Sequence, residues 1–272
     1  MFPRTKLGEK KHRKHKRELE ISSTVEKISN FFNDEIKDKK INILEFGCGD
    51  GFQVPYLQQI GNVVASDIYA SKEIKEMKDV NFIESSITNT PFSARKFDIV
   101  FSNHVIEHIE DMHSAFGELK RIGKPDCVYA FSVPTNIWLL LSIPAQYYNK
   151  LRTLSRRFLS IFSKSKMNKP AKNNRINKIQ KRKEKNIINK LRRIIGPTGH
   201  GVYPDFIDCY WSFRIKNWQQ LFSDNGFSII KTQPLLLYAA SEWPIIPTTK
   251  LFNRLNLCSS VLFLMKKIHE NP

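Results

Sequence analysis

The stretch Ile41-Asn-Ile-Leu-Glu45-Phe-Gly47-Cys-Gly49-Asp50-Gly51 decides the fold of this chain. An apolar, β-prone run leads directly into Gly-x-Gly-x-Gly, and helix-compatible spacing resumes near Phe52. Glycines suit a tight turn that lets a ligand lie against bare backbone. N–H groups at the start of the following helix can bind a carboxylate or a phosphate. Two acids flank the turn. Glu45 and Asp50 would repel a pyrophosphate, whereas Glu45 can accept from the ammonium of an amino-acid moiety. Asp67 closes the next apolar run, Val63-Val-Ala-Ser-Asp67, where an acid can accept from both hydroxyls of a ribose.

Outward from this turn, β-rich runs (Ile41–Phe46, Val63–Ser66, Asn81–Glu84, Asp98–Ser102, Cys127–Val133) alternate with helix-like segments (Gln53–Ile60, a short piece near Ser71–Lys78, Met112–Ile122). Such alternation predicts a parallel sheet covered on both faces. Right-handed crossovers then bring the C-terminal ends of the strands to one rim, where ligands bind. The pattern stops after Pro134 and returns with a helix over Phe213–Asn225 and strands over Phe227–Gln233 and Ser259–Lys266. The expected fold is therefore a doubly wound α/β sheet of seven strands, the last antiparallel, with a basic helical insertion. The expected divisions are a mobile basic N-terminal arm (1–17), the first part of the ligand-binding domain (18–135), an apolar then basic insertion (136–198) and the C-terminal part of the same domain (199–272). Glu18 to about Lys37 has the spacing of a helix packed on a sheet edge.

These residues resemble class I S-adenosylmethionine-dependent methyltransferases, which share a Rossmann-like sheet. The resemblance continues through Lys96-Phe-Asp98-Ile-Val-Phe-Ser-Asn103-His104-Val-Ile-Glu107-His108-Ile-Glu-Asp111, which is similar to the fourth-strand region of the ubiquinone-type, small-molecule and glycan-modifying branch. It includes Leu119-Lys-Arg121-Ile-Gly-Lys124-Pro125 before an apolar strand, and more weakly Trp218–Ile230. It implies S-adenosylmethionine as cofactor. Glu45, Gly47, Gly49 and Gly51 would then hold the methionine part, Asp67 the ribose and Ile68 the adenine, with Asn103 and His104 bordering the methyl donor. Ser86 stands where the family often places an Asp against the adenine amine, with Ile87 beside it to stack on the base. Asp126 replaces the glycine that usually follows Lys-Pro.

Methyl transfer from a sulfonium chiefly requires alignment of the nucleophile. A base is needed only when the acceptor must lose a proton. Three histidines are candidates: His104, His108 and His200. His104 and His108 share a face if their segment is helical, with Glu107 on another face; the alternative is that His108 and Glu107 brace or cap the next helix. His200 lies in Gly199-His200-Gly201-Val-Tyr203-Pro-Asp205, either a substrate lid or an ordinary turn. No third ligand points to a metal beside the His104/His108 pair.

The 272 residues carry a net charge of +18, placed unevenly. Residues 150–193 hold 17 Lys/Arg against Glu184, and residues 1–20 hold eight basic and three acidic residues, which leaves a nearly neutral body. The apolar lead Ile137–Tyr148, followed by Leu151, Leu154, Phe158 and Phe162 on one face, reads as an in-plane element for an anionic membrane. Core packing with a solvated basic tail is the equal alternative. Nucleic acid is the lesser one, since no recognition module accompanies the charge. Four dispersed cysteines, with no CxxC pair, predict small buried side chains in a reducing cytosol rather than a zinc or disulfide framework. The expected setting is cytoplasmic, peripheral on the inner face of the membrane. The expected activity is methylation of a small-molecule or lipid-linked acceptor, such as a sugar hydroxyl of a surface glycan. RNA methylation and a non-catalytic cofactor-binding module stand as alternatives.

Overall fold

The computed structural model describes residues 6–32, 41–163, 196–239, 245–246 and 257–268, with side chains placed except at 6–10 and 156–163. One seven-stranded sheet runs through these residues. Its strands are β1 (Asn42–Phe46), β2 (Asn62–Asp67), β3 (Asn81–Glu84), β4 (Phe97–Asn103), β5 (Gly123–Pro134), β6 (Phe227–Pro234) and β7 (Ser260–Lys267), in the order β3-β2-β1-β4-β5-β7-β6. β1 to β5 pair in parallel, and β7 is antiparallel to both β5 and β6. The strand order reverses between β1 and β4, so a crevice opens beyond their C-terminal ends.

Successive residues of the central strands serve opposite faces. On one side Leu44, Phe46, Val100 and Phe131 pack with Phe116 and Leu119 of α4 (Met112–Ile122) and with Trp218 and Phe222 of α7 (Ile215–Asp224). On the other, Ile43, Ile99 and Phe101 meet α1 (Lys6–Phe32), α2 (Val54–Leu57) and α3 (Lys72–Glu76) through Ile21, Val25, Ile28, Leu57 and Ile74. Two-faced burial explains why the central strands read as nearly continuous apolar runs. The four cysteines are free and buried, as the sequence predicts.

One expectation changes. Residues 6–17 are helical rather than a mobile arm: they belong to α1 (Lys6–Phe32), continuous with the helix expected from Glu18, and residues 33–37 of that expected helix lie outside the described residues. The reason is packing, because Lys16, Glu20 and Thr24 are buried along with the apolar positions, so the polar end of the helix is anchored in the domain. The helix expected over Phe213–Asn225 is α7, and a short helix not read in the sequence, α6 (Phe206–Ser212), precedes it, with Asp205 capping α6 by accepting from the N–H groups of Ile207 and Asp208. The apolar lead of the insertion is the start of α5 (Asn136–Ser163), and Leu139 sits in the main core. Residues 164–193, the larger part of the basic stretch, and the side chains of Phe158 and Phe162 lie outside the described residues.

Candidate functional site

The rim above β1, β2 and β4 carries the glycine turn. Gly47, Gly49 and Gly51 all have positive φ. Gly47 is closed against Val105 and Gly51 against Ile74, whereas nothing lies within 4 Å of where a side chain on Gly49 would stand. Gly49 is thus the point where a ligand can reach bare backbone. Asp67, at the end of β2, accepts from the Gly49 N–H at 2.8 Å and so is held at the turn. Beside it Ile68 is 55% exposed, an apolar face for a ring. Ser86 accepts from the Thr88 backbone N–H and shares a hydroxyl contact with the Thr88 side chain. Ile87 is partly buried and packs against the main core.

Glu45 is the distinctive group. Only 1% exposed, it has no hydrogen bond to either carboxylate oxygen among the described residues. Burial, with the neighbouring charges of Asp50 and Asp67, outweighs Arg17 and pushes its carboxyl up to about 8. Asn103, at the end of β4, likewise has a buried and unbonded Oδ1. Unpartnered buried acceptors are costly and demand an explanation. Here both stand on the ligand rim, where a donor such as an ammonium would satisfy them.

α1 closes this rim from above, which nothing in the sequence signals. Arg17 forms a bidentate pair with Asp50 at 2.6 and 2.8 Å and lies over the Phe52 ring at 4.2 Å. That contact holds the Asp50 carboxyl below its usual range. Glu20 binds the Ser260 hydroxyl and lies 3.3 Å from His104 Nε2.

The three candidate histidines come together beside the turn, but not on one helix. His104 has φ +55, and the next residues form only a short 3₁₀ turn, Ile106–His108. The shared helical face expected of His104 and His108 therefore does not exist. Nor do His108 and Glu107 cap the next helix, whose first turn is capped by Asp111. Instead His104 sits between two acids, Nδ1 lying 3.4 Å from Glu107 Oε1. Burial opposes its charge, yet Glu107 and Glu20 outweigh that and push the imidazole up to about 10. The two acids thus favour the charged imidazole at His104 over the neutral form that a proton-accepting role requires. His200 is shifted the other way, downward, by burial.

His104, His108 and His200 line a cavity of about 450 Å³ together with Trp138, Leu139, Gln146, Asn149, Thr198 and Tyr238. Residues 198–205 close one side: Gln146 Oε1 accepts from the Thr198 N–H at 2.9 Å, and Val202 N–H donates to the Glu107 carbonyl at 2.9 Å. The His200 ring stands against Trp138 and His108, each at 5.0 Å between centroids. The cavity wall is thus assembled from the segment after β4, the end of β5, α5, the 198–205 loop and Tyr238, whereas the glycine turn is almost one continuous segment. The two meet at Asn103 and His104.

Residues 44–131 match the family model of a methyltransferase domain. A malonyl-[acyl-carrier protein] O-methyltransferase of Pectobacterium atrosepticum is 33% identical over 96 residues, 34% of this chain and 38% of that protein. A ubiquinone biosynthesis O-methyltransferase of Haemophilus ducreyi is 28% identical over 126 residues, 40% of this chain and 53% of the relative. The matches thus span about two fifths to half of these relatives. Among solved structures, a SAM-dependent methyltransferase of Thermotoga maritima superposes with a TM-score of 0.51 at 14% identity, covering 92% of this chain and 90% of that one. That likeness shows the class I fold.

Proposed function

We propose, on the premise that residues 44–131 are a class I methyltransferase domain, that this chain transfers a methyl group from S-adenosylmethionine to an oxygen of a small-molecule or lipid-linked acceptor held in the histidine-lined cavity. The residues present fit the cofactor. Glu45, buried and unbonded, can take the ammonium of the methionine part. Gly49 offers open backbone, Asp67 is positioned for the ribose hydroxyls, and exposed Ile68 can underlie the adenine. Bound there, S-adenosylmethionine would supply a methyl group activated by its sulfonium for transfer to an acceptor oxygen. The chain's contribution is alignment and exclusion of water. α1, pinned by Arg17 to Asp50, covers the donor side, and Trp138, His200 and Tyr238 shape the acceptor side.

The observation that carries this reading is the adjacency of the unpartnered donor-side acceptors to a separate cavity at Asn103–His104. Calorimetric titration with S-adenosylmethionine and its demethylated product tests the donor half. Turnover of radiolabelled methyl into a panel of malonyl-thioester, quinol-precursor, lipid-linked sugar and RNA acceptors tests the other half. Binding without transfer to any acceptor would instead support the non-catalytic module, and transfer to RNA alone would move the acceptor class.

One feature favours a lipid-linked acceptor within that class. α5 lines the cavity with Trp138, Leu139 and Gln146, then carries Tyr147, Tyr148, Leu151 and Leu154 exposed, with Lys150 and Arg152 interspersed. Among the described residues no helix is long and apolar enough to cross a membrane. An apolar and basic helix surface continuous with the cavity wall suits peripheral contact with an anionic leaflet. Flotation with phosphatidylglycerol vesicles is expected for the intact chain and lost on Leu151→Glu/Leu154→Glu; no cosedimentation at low salt removes the membrane.

A further inference from the structure

Glu107, His108 and His200 lie in two segments far apart in sequence, yet each offers a ligand atom within 4.8 Å of the other two. His108 ends the short turn after β4, and His200 is delivered by the loop that returns after the basic stretch. The loop is seated on that turn by the Val202 N–H to Glu107 carbonyl bond and by the packing of Gly201 on the same carbonyl. Glu107 is fully buried, and neither of its carboxylate oxygens accepts a hydrogen bond among the described residues. Oε1 has only the His104 ring, at 3.4 Å, which leaves Oε2 without a partner there. A buried carboxylate oxygen left unbonded beside two imidazoles is a costly arrangement for packing alone.

We propose that Glu107, His108 and His200 bind a divalent first-row transition-metal cation at the edge of the acceptor cavity, with open coordination positions facing that cavity. Two imidazoles and one carboxylate are a donor set for Zn²⁺, Mn²⁺, Fe²⁺ or Co²⁺ rather than for the oxygen-seeking Mg²⁺ or Ca²⁺. Ligands at about 2.1 Å from one ion stand roughly 3–4 Å apart, so side-chain rotation suffices to close the set. His108 is exposed and both histidines line the cavity, so the remaining positions can take an oxygen of a bound molecule. That last role, polarising the acceptor oxygen, rests on the methyl-transfer reading; the binding of the cation does not.

The probe is Co²⁺, added to the full-length chain after chelator treatment and read by visible absorption and calorimetry. The expected result is one site of micromolar affinity with a d–d band, competed by Zn²⁺ and shifted by acetohydroxamate, an oxygen chelator. His108→Gln and His200→Gln should each weaken Co²⁺ by at least tenfold, and Glu107→Gln more. Far-UV circular dichroism and S-adenosylmethionine affinity, both expected unchanged for the histidine variants, report folding. His113→Gln, an exposed histidine on α4, should leave Co²⁺ affinity unaltered. Co²⁺ binding that survives both His108→Gln and His200→Gln, or that vanishes on replacing His12 and His15 of α1, overturns the site. A band indifferent to acetohydroxamate overturns the open positions. Because cofactor binding uses Glu45 and Asp67 instead, loss of the metal site leaves the methyltransferase reading standing, and the reverse also holds.

Discussion

The glycine turn proposed to hold the methyl donor and the histidine-lined cavity proposed to hold the acceptor, here the donor side and the acceptor side, are built by opposite strategies. The donor side is local: Glu45, Gly47, Gly49 and Gly51 fall within seven residues, and Asp67 joins them from the adjacent strand. The acceptor side is dispersed: Glu20, His104 with Glu107, Trp138, His200 and Tyr238 come from five places along the chain, and charge and packing bring them together. A local site can be damaged by one substitution without loosening the fold. A dispersed site also ties elements together, so its substitutions should register in stability.

The sharpest separation is expected from Glu45→Gln. It should weaken S-adenosylmethionine and its product by about 100-fold in calorimetry, the magnitude of losing a buried charged partner, and leave Co²⁺ affinity unchanged. A loss of both would mean the two sides are not separable.

Glu20→Gln probes the dispersed side. It removes a buried acid that joins α1 to His104 and Ser260. Breaking a buried pair costs about 3 kcal/mol, or roughly 5–10 °C in Tm by calorimetric melting. A melting point within 1 °C of the parent would show that α1 is not anchored through this contact.

The pH dependence of the donor side follows from Glu45. With its carboxyl raised to about 8, Glu45 is mostly protonated at pH 7 and must ionise to pair with an ammonium. Cofactor binding should therefore release close to one proton at pH 7, measured by calorimetry in buffers of different ionisation enthalpy, and none in Glu45→Gln. The sign for stability is a loss with rising pH: the folded state holds a proton that the unfolded chain gives up, so stability falls from about pH 4.5 towards 8. Glu45→Gln should flatten that decline.

Smaller effects refine the boundary between the two sides. Arg17→Ala removes a pair that is partly exposed to solvent and a ring contact with Phe52. A three- to fivefold loss of cofactor affinity is expected, consistent with the modest worth of exposed pairs. Ser86→Asp places an acid where the family resemblance implies one against the adenine amine. It should tighten the cofactor by two- to threefold, since Ser86 is exposed and the gain is screened.

Most of the sheet and the position of the glycine turn were legible in the chain. β3 and α4 have the boundaries their patterns predict, and the glycine turn lies between β1 and α2 as read, because period and turn chemistry are local properties. The helix over residues 6–17 was not legible: Lys16 and Arg17 belong to a run that reads as a mobile basic arm until Tyr238 and Asp50 are placed opposite them. The relation of the histidines was not legible either. Spacing puts His104 and His108 on one helical face, but the left-handed backbone at His104 sends them to different partners.

By itself, the order of residues determined the alternation of strands and helices, the placing of the strand ends on one rim, and a glycine turn flanked by acids. These depend on hydrophobic period and backbone sterics over a few neighbours. Only the tertiary structure decided that a basic segment becomes the cover of the donor site, that Glu107 joins His108 and His200, and that Glu45 stands buried without a partner. Burial and charge pairing are set by groups distant in sequence, and those groups meet only when the sheet has formed.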